Sequence, residues 1–166
     1  MKIFCVMGED YYVLPDSTIL RSGNPLFLPE WDNDFRIYTA LAVRIDRLGK
    51  SIAPKFAHRY YNEMSKAGVM IGCERLAELR KAGRPWTTAV SFDRSCLLGE
   101  FIPKEDMPDA DFARVDEVIS MLSADNTMKT GDMILMFSSE DGITARRDTV
   151  FSTYNGEKKL LEIRIK

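Results

Sequence analysis

The chain has 166 residues, of which 45% are hydrophobic and 29% are charged, and its formal net charge is −2. This balance is typical of one globular domain with an apolar core, and it excludes an extended disordered region. No block of Lys and Arg interrupts the sequence, so we expect neither nucleic acid nor an acidic membrane surface as a partner.

The cysteine content points to a reducing compartment. Cys5, Cys73 and Cys96 cannot all pair within one chain, and none of them belongs to a C-x-x-C pair of the kind that zinc sites use. We therefore predict reduced, buried thiols and a cytoplasmic protein. The apolar run at residues 3–7 is too short for a signal segment or a membrane span, and it reads as a short buried strand.

Strands and turns dominate the first third of the chain. Residues 11–14 and 18–20 form two short extended segments around Pro15-Asp16, a pair that favours a turn. The strongest strand pattern covers Phe35–Ile45, where apolar and mixed residues alternate. Its first face is predicted to be core. Its second face carries small residues and a tyrosine between two arginines, which would suit a cavity wall, at Arg36, Tyr38, Ala40, Ala42 and Arg44.

The middle of the chain mixes helices with strands. Pro54 suits the first turn of a helix over residues 54–61, and an apolar strand is expected at 68–72. A helix follows at 73–82, since Gly83 provides a stop signal. Residues 86–92 are predicted to be mainly extended.

The last third begins with an amphipathic helix over residues 112–122. The strand Met133–Phe137 comes next, and a hairpin pairs 149–154 with 159–165 around Asn155-Gly156, a favoured turn pair. The elements together predict a single β-rich α+β domain over residues 1–166, with about three helices and no domain boundary.

Seven short runs carry a family resemblance by their order and spacing. They stand at 48–52 (LGKSI), 56–61 (FAHRYY), 83–86 (GRPW), 91–93 (SFD), 98–103 (LGEFIP), 129–132 (KTGD) and 154–161 (YNGEKKLL). Together they resemble the fumarylacetoacetate hydrolase (FAH) family. The resemblance implies a mixed β-roll with peripheral helices, which is usually a homodimer.

The resemblance also implies where a metal would lie. Members of the family act on 2-oxo or 1,3-dicarbonyl acids with Mg²⁺ or Mn²⁺, held by two Glu in an E-x-E pair and by one Asp, because such ions prefer carboxylate oxygen. The aligned positions here are Tyr38, Ala40 and Val69. We therefore expect no Mg²⁺ or Mn²⁺ cofactor.

The family's substrate-binding positions are altered as well. Its Arg, Gln and Lys align with Cys73, Leu76 and Val90, and a threonine that contacts the substrate carboxylate aligns with Ser138. The family's N-terminal lid is shortened and lacks its catalytic His, so no catalytic residue is assigned. A reactive thiol at Cys73, favoured by the start of a helix, and an inert buried thiol remain alternatives.

Three functions remain open at this stage. The first is a catalytically inactive scaffold that acts as a binding or partner subunit, in a homodimer or in a heteromer with a related chain. The alternative is a hydrolase, decarboxylase or isomerase that acts on a 2-oxo or 1,3-dicarbonyl acid through a repurposed site. The third is a sensor in which Arg36 or Arg44 contacts a small carboxylate ligand.

Overall fold

The computed structural model describes all 166 residues. Eleven strands alternate with four short or medium helices. The strands are β1 Lys2–Met7, β2 Asp10–Pro15, β3 Ile19–Arg21, β4 Phe35–Ile45, β5 Tyr61–Gly72, β6 Cys96–Leu98, β7 Ile102–Pro103, β8 Met133–Phe137, β9 Ile143–Thr144, β10 Val150–Asn155 and β11 Lys158–Arg164. The helices are α1 Pro54–Ala57, α2 Cys73–Lys81, α3 Thr87–Val90 and α4 Phe112–Asp125.

Nine strands form one mixed sheet in the order β2-β1-β8-β4-β5-β6-β3, with β7 paired to β5 and β9 paired to β4. The β1–β8 and β3–β6 pairs are parallel, and the other pairs are antiparallel. The last two strands form a separate hairpin. The β-rich α+β class is confirmed. No helix of the chain is both long and apolar enough to cross a membrane.

Strand β4 contributes to three apolar clusters. Val43 and Ile45 pack in a first cluster with α4, whose apolar side chains lie four and three residues apart. Ala40 and Ala42 belong to a second cluster with α2 and α3. Ile37 belongs to a third cluster with the β10–β11 hairpin. These clusters lie on both faces of β4. On the second face, which was expected to suit a cavity wall, Ala40 and Ala42 are fully buried in the second cluster.

Two other predicted elements differ from the structure because tertiary packing outweighs local preference. Helix α1 ends at Ala57, and a turn leads directly into the twelve-residue strand β5, in place of a helix to residue 61. Residues 87–90 form the helical turn α3 instead of an extended segment. Here the Ser91 amide donates to the Thr87 carbonyl at 2.7 Å, which lets Ala89 and Val90 enter the second cluster.

Cys5 on β1 and Cys96 on β6 are fully buried, as predicted. Burial in apolar surroundings disfavours the thiolate, so the pKa of Cys96 is raised to about 12 and the pKa of Cys5 is raised further. In the unfolded chain both thiols would ionise at their ordinary pKa. Above that value the unfolded state binds fewer protons than the folded state, so stability falls as pH rises.

We therefore predict that the melting temperature falls between about pH 8.5 and pH 10.5 by more than surface titration alone produces. The double variant Cys5→Ala/Cys96→Ala should lose less stability over the same interval, whatever its stability at pH 7. Calorimetric melting curves of both proteins measure the difference. Parallel pH profiles for the two proteins would contradict the assignment of this loss to the buried thiols.

Candidate functional site

The residues that the sequence assigned to the degenerate family site do come together. Tyr38 on β4 lies opposite Val69 on β5, and Val69 lies opposite Cys96 on β6. Ala40 lies opposite Phe137 on β8. The second cluster unites six of these residues, with Ala40, Val69 and Val90 buried in it and Tyr38, Cys73 and Leu76 packed against it. Ser138 lies outside the cluster, on the loop after β8.

The inner half of this site, formed by Ala40, Val69 and Val90, is buried. The three residues are between 0% and 3% exposed and belong to one apolar cluster, so this half of the site is closed to solvent. Two of the three aligned metal positions therefore carry buried aliphatic side chains and the third carries the Tyr38 phenol. This donor set does not fit Mg²⁺ or Mn²⁺, which need several hard oxygen ligands. The chain gathers no group of three or more His, Cys, Asp or Glu side chains suited to a metal elsewhere either.

The outer half of the site remains open. A cavity of about 440 Å³ begins at Tyr38 and extends under the loop that follows β8. Its wall is formed by seven residues, which are Met7, Gly8, Tyr38, Phe137, Ser138, Ser139 and Glu140. The sequence identified Tyr38 and Ser138 but missed the rest. Glu140 stands in a Ser-Ser-Glu-Asp-Gly loop that has no periodic pattern, so only its nearness to Ser138 pointed to it.

The loop that covers the cavity is fixed to β4. The Ser138 amide donates to the Thr39 carbonyl at 2.9 Å, and the hydroxyls of Ser139 and Thr39 lie 3.3 Å apart. Gly142 packs against Tyr38 so closely that a Cβ there would lie 2.8 Å from Cζ of the Tyr38 ring. The loop therefore needs a glycine at this point, and the contact holds the Tyr38 ring in place.

Tyr38 presents its hydroxyl beside a thiol. Its Oη lies 3.9 Å from Sγ of Cys73, and either group can donate in this contact. Partial burial raises the pKa of Tyr38, with a further contribution from the neighbouring thiol. Burial also raises the pKa of Cys73, although the hydrogen bond with Tyr38 acts in the opposite direction. Both groups are therefore protonated at neutral pH, and the lowered pKa considered for Cys73 at a helix start is wrong because desolvation is the larger effect.

The two arginines considered for an anionic ligand already have partners. Nε of Arg36 donates to both oxygens of Asp34 at 3.0 and 3.1 Å, and Nη2 lies 2.9 Å from the same carboxylate. Arg44 pairs with Glu63 at 2.8 Å and stacks on the ring of Phe101 at 3.8 Å. A contact between either arginine and a ligand stays a prediction, and it would require exchange of these partners.

The N-terminal hairpin closes one side of the second cluster. Strands β1 and β2 form a hairpin in which Tyr12 pairs with Cys5 and meets the Trp86 ring edge-on, with centroids 5.3 Å apart. The Tyr12 hydroxyl is buried without a hydrogen-bond partner, and burial raises its pKa above the ordinary range. Side chains of this hairpin, including Cys5 and Leu14, thus pack in the same cluster as Ala42.

No family model matches the chain, but sequence relatives and solved structures do. The chain is 26% identical over 145 residues to a protein named oxaloacetate tautomerase FAHD1, mitochondrial, from Rattus norvegicus, which covers 75% of the chain and 66% of the relative. It is 30% identical over 97 residues to the Caenorhabditis elegans protein of the same name, which covers 58% of the chain and 45% of the relative. The chain therefore spans less than two thirds of either relative. Because both relatives are named mitochondrial, a cytoplasmic location is not confirmed.

Two solved structures share the fold over 99% of the chain. One is fumarylpyruvate hydrolase from Pseudomonas aeruginosa in complex with Mn²⁺ and pyruvate, with a TM-score of 0.85, 19% identity and 89% of that chain covered. The other is 5-carboxymethyl-2-hydroxymuconate delta-isomerase from Mycobacterium smegmatis, with a TM-score of 0.81, 18% identity and 78% of that chain covered.

The first of these structures corrects the expectation of no metal cofactor. A chain with this fold binds Mn²⁺, so the absence of a metal cannot be carried over as a property of the scaffold, and the expectation is contradicted. Since Tyr38, Ala40 and Val69 do not supply the ligands, an ion in this chain would be held by other donors. The matching relatives, the shared fold and the ordered sequence runs support membership of the chain in the fumarylacetoacetate hydrolase family.

Proposed function

We propose that the chain is an enzyme of the FAH class that interconverts the keto and enol forms of a 2-oxo acid in the cavity beside Tyr38. The observation that carries the proposal is the cavity itself. It remains open between Tyr38 and Ser138, two positions that align with the family's metal-ligand and carboxylate contacts, although the inner positions are packed. Relatives named for oxaloacetate tautomerisation and for a delta-isomerase support this reaction class.

Keto–enol interconversion needs two proton transfers, and the cavity wall carries a group for each. Glu140 is its only acidic side chain and would accept a proton from the carbon next to the carbonyl. The C–H electron pair then forms the C=C bond. The carbonyl oxygen takes a proton from the hydroxyl of Tyr38, which is held protonated by its raised pKa. The product is the enol, and solvent restores both groups because the cavity is open to water.

The hydroxyl of Ser138 would orient the carboxylate of the ligand, because the Ser139 hydroxyl already donates to the Asp141 carbonyl at 3.0 Å. Both side chains belong to the loop after β8, and the bonds of that loop to Thr39 keep the hydroxyls near Tyr38. Such a fixed donor positions a planar 2-oxo acid so that its carbonyl faces the phenol. The chain's own contribution to the reaction is thus placement of the substrate between a proton donor and a proton acceptor.

We predict that Tyr38→Phe and Glu140→Gln each lower the rate of keto–enol interconversion of a 2-oxo acid by about 10²-fold, because each removes one proton-transfer group. Tyr154→Phe and Glu157→Gln are matched controls, since both side chains are exposed at the β10–β11 hairpin. Loss of the enol absorbance measures the rate. Unchanged rates in both cavity variants would contradict the assigned roles, and absence of turnover in the parent protein would contradict the reaction.

A non-catalytic binding or partner subunit is the second candidate. The aliphatic packing of Ala40, Val69 and Val90 favours it, because these residues stabilise the fold where the family places its chemistry. In that case 2-oxo acids would bind in the cavity without being interconverted. Titration calorimetry together with the rate measurement distinguishes the two candidates.

We further propose that the chain associates with itself or with a related chain. Strand β2 lies at the edge of the nine-stranded sheet, and its side chains Tyr11 and Val13 are 36% and 42% exposed. Edges of this kind are covered by association in many proteins.

We expect light scattering after size exclusion to give about twice the 18.9 kDa chain mass at tens of micromolar protein. Val13→Lys should shift the equilibrium toward monomer, because it places a charge on the edge strand. Val150→Lys is the matched control, since Val150 is an exposed valine of the separate hairpin. A parent protein that is monomeric at this concentration would contradict self-association.

A further inference from the structure

The cavity beside Tyr38 has two chemically different sides. One side is apolar and is made by Met7, Tyr38 and Phe137, where the two rings lie edge to face with centroids 6.1 Å apart and planes at 70°. The other side carries the hydroxyls of Ser138 and Ser139 and the carboxyl group of Glu140. A ligand that fits both sides has one polar end and one apolar end.

No cation lines this cavity. Glu140 is the only charged side chain among the seven lining residues. Arg36 lies on the same strand as Tyr38, but its guanidinium makes three contacts of 2.9 to 3.1 Å with the Asp34 carboxylate. A ligand with two carboxylates would therefore have no positive partner for the second one and would place it against the apolar side of the cavity, where a charge is poorly solvated.

From this asymmetry we infer that the preferred substrate is a 2-oxo acid with a single carboxylate and an aromatic or similarly apolar remainder, rather than a 2-oxo dicarboxylic acid such as oxaloacetate. The inference rests on the proposed 2-oxo acid site and narrows its substrate class. The carboxylate and the carbonyl meet the hydroxyls of Ser138 and Tyr38. The apolar remainder packs on Met7 and the Phe137 ring, where an additional aromatic ring finds edge-to-face partners.

The size of the cavity agrees with such a ligand. About 440 Å³ exceeds what a three-carbon acid needs and lies within the range of pockets that hold small organic molecules. Pyruvate alone would leave the apolar side uncovered. Burial of that side by an aryl group adds affinity in proportion to the apolar area removed from water.

The experiment compares phenylpyruvate, pyruvate and oxaloacetate as ligands of the full chain by titration calorimetry. We expect the dissociation constant of phenylpyruvate to be at least about tenfold lower than that of the other two acids. A second variant tests the charge argument. Met7 is 43% exposed on the apolar side, so Met7→Lys places a cation there without disturbing the core.

Met7→Lys should strengthen oxaloacetate binding by about tenfold and weaken phenylpyruvate binding, which would reverse the preference. Val150→Lys adds the same charge at an exposed valine outside the cavity, and it should change neither constant. Light scattering of both variants keeps changes of assembly separate from changes of affinity.

The outcomes separate the two proposals. Tighter binding of phenylpyruvate together with reversal in Met7→Lys supports the inference. Equal or tighter binding of oxaloacetate by the parent chain overturns the inference and leaves the proposed 2-oxo acid site intact. A preference for phenylpyruvate that Met7→Lys leaves unchanged places the ligand outside this cavity and overturns the inference as well. Failure of all three acids to bind overturns both the inference and the proposed function.

Discussion

The antiparallel ladder between β4 and β5 determines the position of almost every other element. It runs from the pair Phe35 and Gly72 to the pair Ile45 and Tyr61 and is the longest pairing in the chain. Because side chains alternate between the two faces of a strand, a slip of one residue would move every buried side chain of β4 to the opposite face. Both faces are packed here, so the register is strongly determined.

Glycines along β5 permit the close approach of neighbouring layers. A Cβ at Gly68 would lie 2.7 Å from Ile37 and 2.9 Å from the Phe151 ring, so the β10–β11 hairpin could not pack where it does. A Cβ at Gly72 would lie 2.3 Å from the Trp31 ring. Gly72 also leads directly into α2, and the ladder thereby fixes the point at which that helix begins and Cys73 faces Tyr38.

The start of α2 is held by the loop that precedes β4. The Asp32 carboxylate accepts hydrogen bonds from the Arg75 and Asp34 amides, each at 2.8 Å, and the Asp34 carbonyl accepts from the Cys73 amide at 2.9 Å. These bonds satisfy amides that a helix start leaves without partners. Glu74 has a structural role in the same contact between the loop and α2, because its carboxylate accepts a hydrogen bond from the Asn33 side chain at 3.0 Å.

Much of this framework could be predicted from the sequence because it depends on local patterns. The alternation of residue types along Phe35–Ile45 predicted β4, and apolar residues spaced three and four apart predicted α4. The KTGD run likewise reflects local bonding, since the buried Asp132 carboxylate accepts from the amide of Lys129 at 2.9 Å. Helix α3 could not be predicted, because Thr87 and Val90 favour strands and only contact with β5 and α2 makes the turn helical.

The site itself was only half predictable, for a physical reason. Alignment with a family locates positions along the chain, so it found Tyr38, Ala40 and Val69, which belong to one cluster, and Ser138 beside Tyr38. It could not show which of these positions face an open space, because that depends on side chains from separate segments. Met7 reaches the cavity from β1, and Glu140 reaches it from a loop.

Tyr38 stands at the boundary between the packed and the open half of the site, and its chemistry suits that boundary. A carboxylate at this position, beside Phe137 and the aliphatic side chain of Val69, would be poorly solvated unless an ion neutralised it. A phenol tolerates the same surroundings, because its ring packs against apolar neighbours while its hydroxyl contacts Sγ of Cys73. The aliphatic residues of the inner half and the phenol at its edge are therefore mutually consistent. In the proposed site a neutral donor with a raised pKa would act on the ligand where the family would place an ion-bound carboxylate.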